Sequence, residues 1–222
     1  MDLGRAWDAT VTLAPDIKSN IPFLGSSRRG SGVVVSLDGT GSSQSRIILT
    51  AAHVACLAGS RNAIRVRRPG ATDDGDGAVA KVVGVHPRLD LAVLAFAAES
   101  GQAEDGSNSS ATSIRSDERA WLPMATSPVR DGDVVAALGY PMGWSGVIKS
   151  ISSIARRGQT RTDTWGEVLA TYAPTTDDSD SDSDSDTDMV THVLHTSTVA
   201  SGESGGPLVN GKMEVCGVHS FG

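Results

Sequence analysis

The sequence predicts an all-β fold of barrel or sandwich type, built from two groups of six strands. Short runs rich in Val, Ile and Thr recur along the chain, and Gly, Pro, Asp and Ser separate them. Helical periodicity is scarce, and 25 of the 222 residues are glycine, which suits many tight turns. Residues 99–118 are polar with few apolar positions, so we interpret them as a connector between two units.

The first six strand-like runs lie in residues 1–98, the predicted N-terminal unit. They read WDATVTL, SGVVVSL, RIILTAAHV, AIRVRR, AVAKVVGV and DLAVLAF. The third passes into TAAHVACLAG, where we expect one short turn of helix. His53 lies at that junction, and Asp90 directly precedes the sixth run. Polar side chains at the ends of apolar strands are often functional, because the strands hold them rigidly.

The second six runs lie in residues 119–222, the predicted C-terminal unit. They read DVVAALGY, GVIKSISSI, EVLATYA, VTHVLHT, PLVN and MEVCGVHS. Residues 174–188 interrupt them with alternating Ser and Asp, and we expect this self-repelling run to be a disordered, solvated insertion. Weak calcium binding and phosphorylation are the alternatives, although the run lacks the Gly and terminal Glu of a shaped calcium loop.

Composition and charge exclude several classes of protein. The net charge of −7 lies in the seven aspartates of residues 177–188, since the other 19 acids balance 19 Lys and Arg. No basic face for nucleic acid is therefore expected. Two cysteines, neither in a CxxC pair, exclude a disulfide framework and argue against a zinc site. No apolar run approaches the about 20 residues of a membrane span. The N-terminus lacks a secretory signal pattern, which favours an intracellular protein.

The stretch GESGGPL makes Ser204 a candidate nucleophile. A serine hydroxyl is a weak nucleophile unless a base, usually a carboxylate-oriented His, takes its proton. His53 and Asp90 are the candidates for those two parts. The flanking glycines permit positive φ angles, which would let the N–H groups of Gly202 and Ser204 converge as an oxyanion hole. Each motif alone is ordinary, and their co-occurrence favours catalysis.

Several motifs together resemble the trypsin-like (chymotrypsin-fold) serine peptidases, and more closely their HtrA-type bacterial branch. TAAHV resembles the histidine motif of that family, and DLAVL resembles the strand that follows its aspartate. VRDGDVVAALGYPMGWSGVIKSISSIARR resembles a segment of the second barrel, and GESGGPLVNGKMEVCGVHSFG resembles the nucleophile loop with one pocket wall. The resemblance runs from about residue 30 to residue 222. It implies two six-stranded antiparallel β-barrels with the site in the cleft between them.

Residue by residue, the resemblance implies a serine endopeptidase that acts through an acyl-enzyme intermediate. His53 matches the general base, Asp90 the orienting acid and Ser204 the nucleophile. Gly202 and Ser204 match the oxyanion-hole donors. The edge that pairs with a substrate backbone matches Ser220, Phe221 and Gly222. This chemistry needs no metal and no organic cofactor, and its partners are polypeptides.

The resemblance leaves substrate preference open. Thr198 lies six residues before the nucleophile, where an Asp would imply cleavage after Arg or Lys. His219 resembles the histidine with which glutamyl endopeptidases bind an acidic side chain, and Thr198 would cooperate with it. The alternative is a histidine that only fills the pocket wall. Of the other histidines, His192 and His195 should face opposite sides of a strand, which argues against a shared metal, and His86 is interpreted as structural.

Three departures from the family pattern matter. Glu203 replaces the usual Asp or Asn, and no activation-type N-terminus precedes SGVVVSL, so we expect no zymogen switch. The cysteines that form disulfides in secreted relatives are missing. Relatives usually continue past the position of Gly222 with a further strand, so we expect a second barrel that is truncated and open at one edge. A truncated or inactive peptide-binding domain is therefore the alternative function.

Overall fold

The computed structural model describes residues 3–15, 29–42, 45–67, 78–97, 120–140, 162–172, 192–197 and 202–220. Eleven strands lie within these ranges. The first six are β1 (Thr10–Pro15), β2 (Gly30–Ser36), β3 (Arg46–Ala51), β4 (Ala63–Arg67), β5 (Ala78–His86) and β6 (Leu91–Phe96). The other five are β7 (Val134–Gly139), β8 (Thr162–Tyr172), β9 (His192–His195), β10 (Pro207–Asn210) and β11 (Val215–Val218). The predicted all-β fold is confirmed.

The first six strands form a closed antiparallel barrel in the order β1-β2-β3-β6-β5-β4. Pairing of β1 with β4 closes it. Successive side chains of a strand point to opposite faces, so every second residue fills the barrel interior. In β4, Ile64 and Val66 are fully buried, while their neighbours are partly exposed. The same interior receives Leu13, Ile48 and Leu94 from other strands.

The last five strands form an open antiparallel sheet in the order β11-β10-β7-β8-β9. Its inner face packs Val135, Ala137, Val168 and Leu208 together. This sheet forms a second, curled half-barrel, and five strands of it lie within the described ranges. The predicted strand GVIKSISSI (146–154), the connector 99–118 and the Ser/Asp run 174–188 lie outside the described residues. The unit boundaries at residues 98 and 119 stay predictions.

A second apolar cluster joins the barrel to the sheet and explains the unbroken run VVV in β2. Val34 points into the barrel, whereas Val33 and Val35 on the opposite face pack in the cluster shared with β7 and β10. A strand buried on both faces loses the apolar–polar alternation of a half-exposed strand. The sheet side of this cluster consists of Ala136, Leu138, Tyr140, Val209 and Val215.

Helices are few, and one of them corrects a prediction. WDATVTL was expected to be strand throughout, but helix α1 (Gly4–Ala9) precedes β1. The helical turn buries Trp7 edge-on against Tyr140, at 5.8 Å between ring centroids, and this packing outweighs the local strand pattern. The helical turn expected near His53 is confirmed as α2 (Ala52–Ala55), followed by a 3₁₀ helix, Cys56–Arg61. Across the described residues, we find no helix with the length and apolar character needed to span a bilayer.

Candidate active site

His53 is presented by the junction of β3 and α2. Strand β3 pairs with β6 up to Ala51 opposite Leu91, so the start of α2 lies beside the residue that precedes β6. The Ala52 N–H donates to the carbonyl oxygen of Asp90 at 2.8 Å, which ties the two ends together. The imidazole of His53 remains 44% exposed and accessible from solvent.

The carboxylate of Asp90 holds both the backbone and the ring of His53. The His53 N–H donates to Oδ1 at 2.8 Å, and His53 Nδ1 lies 2.6 Å from Oδ2. Asp90 follows the 3₁₀ helix Pro87–Leu89 in a left-handed conformation, with φ of +49°, which Asp tolerates better than most residues. Two contacts from one carboxylate restrict rotation of the imidazole and leave Nε2 as the outer ring nitrogen.

The hydroxyl of Ser220 donates a third hydrogen bond to Asp90, at 2.7 Å from Oδ2. Partial burial by itself raises the pKa of Asp90, but the bonds from Ser220 and from the backbone and ring of His53 outweigh it. The net effect lowers the pKa below its usual value of 3.8, so this carboxyl stays ionised at neutral pH. Ser220 thereby links the end of β11 to the first barrel.

Ser204 lies in a loop that two positive-φ glycines shape, Gly202 at +98° and Gly205 at +87°. The Gly206 N–H donates to the Glu203 carbonyl at 2.8 Å, and this bond closes the turn around Ser204. The peptide that it fixes also carries the Ser204 N–H, because the peptide group is planar. Ser204 is partly exposed, whereas Gly202, Glu203 and Gly205 are buried.

The loop that carries Ser204, residues 202–206, docks on β2 and on β3, the strand that leads to His53. The Ser31 N–H of β2 donates to the Ser204 carbonyl at 2.8 Å. A Cβ added to Gly205 would overlap the Ser31 carbonyl oxygen and the Thr50 hydroxyl, so only glycine fits there. Since Thr50 precedes His53 by three residues, the loop of Ser204 contacts the strand that leads to His53.

His219 is buried and lies against the loop that carries Ser204. Its carbonyl accepts from Gly205 N–H at 2.7 Å, and its N–H donates to Gly206 O at 2.9 Å. The residue is only 5% exposed, and its ring packs against that of His195, at 5.3 Å between centroids. Burial, followed by the neighbouring His195, lowers the pKa of His219 to about 4 against an opposing bond to the Pro207 backbone. His219 Nε2 finds no hydrogen-bond partner among the described residues.

Residues 30–218 match the model of the trypsin-like peptidase domain, which is most of the chain. The chain belongs to the trypsin-like peptidase family. No curated protein matches it.

Two solved structures share the fold of this trypsin-like peptidase. One is the Rv3671c protease in an inactive form, with TM-score 0.54 and 23% identity, covering 97% of this chain and 79% of the other. The second is a serine-to-alanine mutant of Rv3671c from M. tuberculosis H37Rv, also inactive, with TM-score 0.53 and 22% identity. It covers 97% of this chain and 76% of the other.

The structure of this trypsin-like peptidase describes only some of the predicted substrate-binding residues. Thr198, Phe221 and Gly222 lie outside the described residues, and so does Ser201 beside Gly202. His86 Nδ1 accepts a hydrogen bond from the Leu89 N–H at 3.3 Å, and its interpretation as structural stays a prediction. Sequence reasoning missed three contacts: Ser220 on Asp90, Ser31 on the nucleophile loop, and His195 against the ring of His219.

Proposed function

We propose that this protein is a serine endopeptidase in which Ser204 attacks the scissile carbonyl. His53 would take the serine proton at Nε2 and return it to the leaving amine, while Asp90 holds the ring and stabilises the imidazolium. An acyl-enzyme forms on Ser204 and is hydrolysed by water. The observation that carries the proposal is the 2.6 Å contact between Asp90 Oδ2 and His53 Nδ1, beside the loop that presents Ser204.

The oxyanion hole is the second part of the proposal. The N–H groups of Gly202 and Ser204 would stabilise the negative charge that develops on the substrate carbonyl. The positive φ angles of Gly202 and Gly205 support this, together with the bond that fixes the peptide carrying the Ser204 N–H. Ser220, Phe221 and Gly222 would pair with the substrate backbone as an added strand.

Cleavage of an unfolded protein tests the proposal. We expect wild-type protein to degrade casein, and Ser204→Ala to lower the rate by at least about 10⁴-fold, because no nucleophile then remains to form the acyl-enzyme. Ser42→Ala removes an exposed hydroxyl in the β2–β3 turn and should retain the wild-type rate. A folded wild-type protein that binds peptides without cutting them would favour the inactive peptide-binding alternative.

We further propose that His219, with Thr198, recognises an acidic side chain before the cut. Proline has no N–H, so the Pro207 backbone can only accept a hydrogen bond from the His219 ring. Since Nε2 has no partner among the described residues, the donor is Nδ1, and Nε2 of the neutral ring is a buried acceptor. A carboxylate would bind there together with one proton, which the ring and the carboxylate share.

That proton makes acidic preference dependent on pH. With the His219 pKa at about 4, ring and glutamate are both deprotonated at pH 7.5, so kcat/KM for a Glu peptide should rise relative to a matched Gln peptide as the pH falls to 5.5. A digest of a peptide library at both pH values measures the ratio. His219→Gln should remove its pH dependence. A Gln peptide preferred at every pH, or no enrichment of Glu or Asp, would end the acidic interpretation.

A further inference from the structure

Ser31 forms four hydrogen bonds at the junction of the barrel, the sheet and the nucleophile loop. It is fully buried in β2. Its N–H donates to the Ser204 carbonyl at 2.8 Å, and its Oγ donates to the Gly202 carbonyl at 2.9 Å. The Tyr140 N–H, just past β7, donates to the same Oγ at 3.1 Å. Thr50 Oγ1 donates to the Ser31 carbonyl at 2.7 Å.

Two of these bonds fix the backbone on either side of the peptide between Glu203 and Ser204. Each peptide group is planar, so a bond to its carbonyl also fixes the direction of the N–H across that peptide. The Ser31 hydroxyl holds the peptide after Gly202, and the Ser31 N–H holds the peptide after Ser204. The peptide between them is held by the Gly206 N–H. With all three held, the backbone around the nucleophile cannot rotate without breaking a buried hydrogen bond.

The fourth bond connects this arrangement to the proposed base. Thr50 lies on β3, and His53 follows it by three residues at the start of α2. The same residue, Ser31, is therefore bonded to the strand that leads to His53 and to the loop that carries Ser204. The bond from Thr50 uses the Ser31 carbonyl, whereas the bonds to Gly202 and from Tyr140 use the Ser31 hydroxyl.

We propose that Ser31 is a positioning residue, whose hydroxyl sets the nucleophile loop in the orientation needed for attack. It does not touch the reacting atoms; it acts through Gly202 and Ser204. This inference rests on the proposed peptidase function. Because misplacement of reacting groups by about 1 Å can cost about 100-fold in rate, loss of one anchoring hydroxyl should affect the chemical step more than substrate binding.

The test is the rate of labelling by a fluorophosphonate, with kcat and KM on one cleaved peptide, for Ser31→Ala. The variant removes the bond to the Gly202 carbonyl and the bond from the Tyr140 N–H. At a temperature where all variants are folded, we expect labelling and kcat to fall about 10- to 100-fold, with KM within about twofold. Ser31→Cys keeps a weak donor and should fall between Ser31→Ala and wild type.

Thr10→Val is the matched control. It removes another fully buried hydroxyl, which donates to the Ala6 carbonyl at 2.7 Å, far along the chain from the nucleophile loop. Its labelling rate should stay at the wild-type value. Equal slowing of Thr10→Val, or wild-type labelling of folded Ser31→Ala, would overturn the positioning role. If Ser31→Ala does not fold, Ser31→Cys decides: slowed labelling supports the role and an unchanged rate overturns it. An inert wild type would instead overturn the proposed function, and this inference with it.

Discussion

Asp90→Asn is expected to lower kcat about 10⁴-fold at neutral pH while the protein stays folded. The carboxylate accepts from the His53 backbone through Oδ1 and contacts the His53 ring through Oδ2. An amide in its place turns one of these acceptors into a donor, so the ring adopts the tautomer that cannot take the Ser204 proton. The negative charge that stabilises the imidazolium is lost as well. Peptide hydrolysis under saturating substrate gives kcat, and circular dichroism reports the fold.

Asp38→Asn is the control for that experiment. Asp38 accepts several hydrogen bonds from hydroxyls in the β2–β3 turn, among them Ser45 at 2.7 Å and Ser36 at 2.8 Å. The substitution therefore disturbs a comparable carboxylate network without touching His53. We expect its kcat to equal the wild-type value. Asp90→Asn within tenfold of wild type would contradict the orienting role.

Gly205→Ala is expected to lower the free energy of unfolding by about 3 kcal/mol or more, and to abolish peptide hydrolysis. The added methyl would overlap the Ser31 carbonyl oxygen and the Thr50 hydroxyl, and neither atom is the free end of a flexible side chain. The loop must move away from β3 to relieve the overlap. Urea unfolding at neutral pH measures the loss.

Gly132→Ala separates backbone strain from steric overlap. Gly132 has φ of +86° against +87° for Gly205, but nothing lies within 4 Å of a Cβ built on it. Its substitution should cost only the left-handed strain of about 1–2 kcal/mol and retain activity. If both substitutions lower the free energy of unfolding by the same amount, steric overlap of the Ser204 loop with β3 does not contribute to the effect of Gly205→Ala.

The fold could be predicted because its signals are local. Apolar runs bounded by turn residues mark most of the strands that the structure describes, and polar residues at their ends mark His53 and Asp90. The exception is α1, where the predicted strand is a helix for a physical reason. Burial of Trp7 against Tyr140 is a tertiary contact that the residue pattern of WDATVTL does not indicate. The unbroken valines of β2 likewise make sense only once a second apolar surface covers their outer face.

The supporting contacts of the site could not be predicted. Ser31 reaches Gly202 across 171 positions, and Ser220 reaches Asp90 across 130. Serine is common in turns and strands, so its residue type carries no signal of such a partner. His195 ends β9 and His219 directly follows β11, and these are the two edge strands of the sheet. The two rings therefore meet only through the tertiary structure. The roles of Thr198, Phe221 and Gly222 stay predictions.

The most direct measurement of the central claim is mass spectrometry of the protein after reaction with a fluorophosphonate probe. The proposed mechanism predicts one adduct on wild-type protein, mapped by proteolysis to the peptide that contains Ser204. His53→Ala should react far more slowly, and Ser204→Ala should carry no adduct. A folded wild-type protein that gains no mass, or a Ser204→Ala variant that labels as well as wild type, would contradict the claim that this protein is a serine peptidase acting through Ser204.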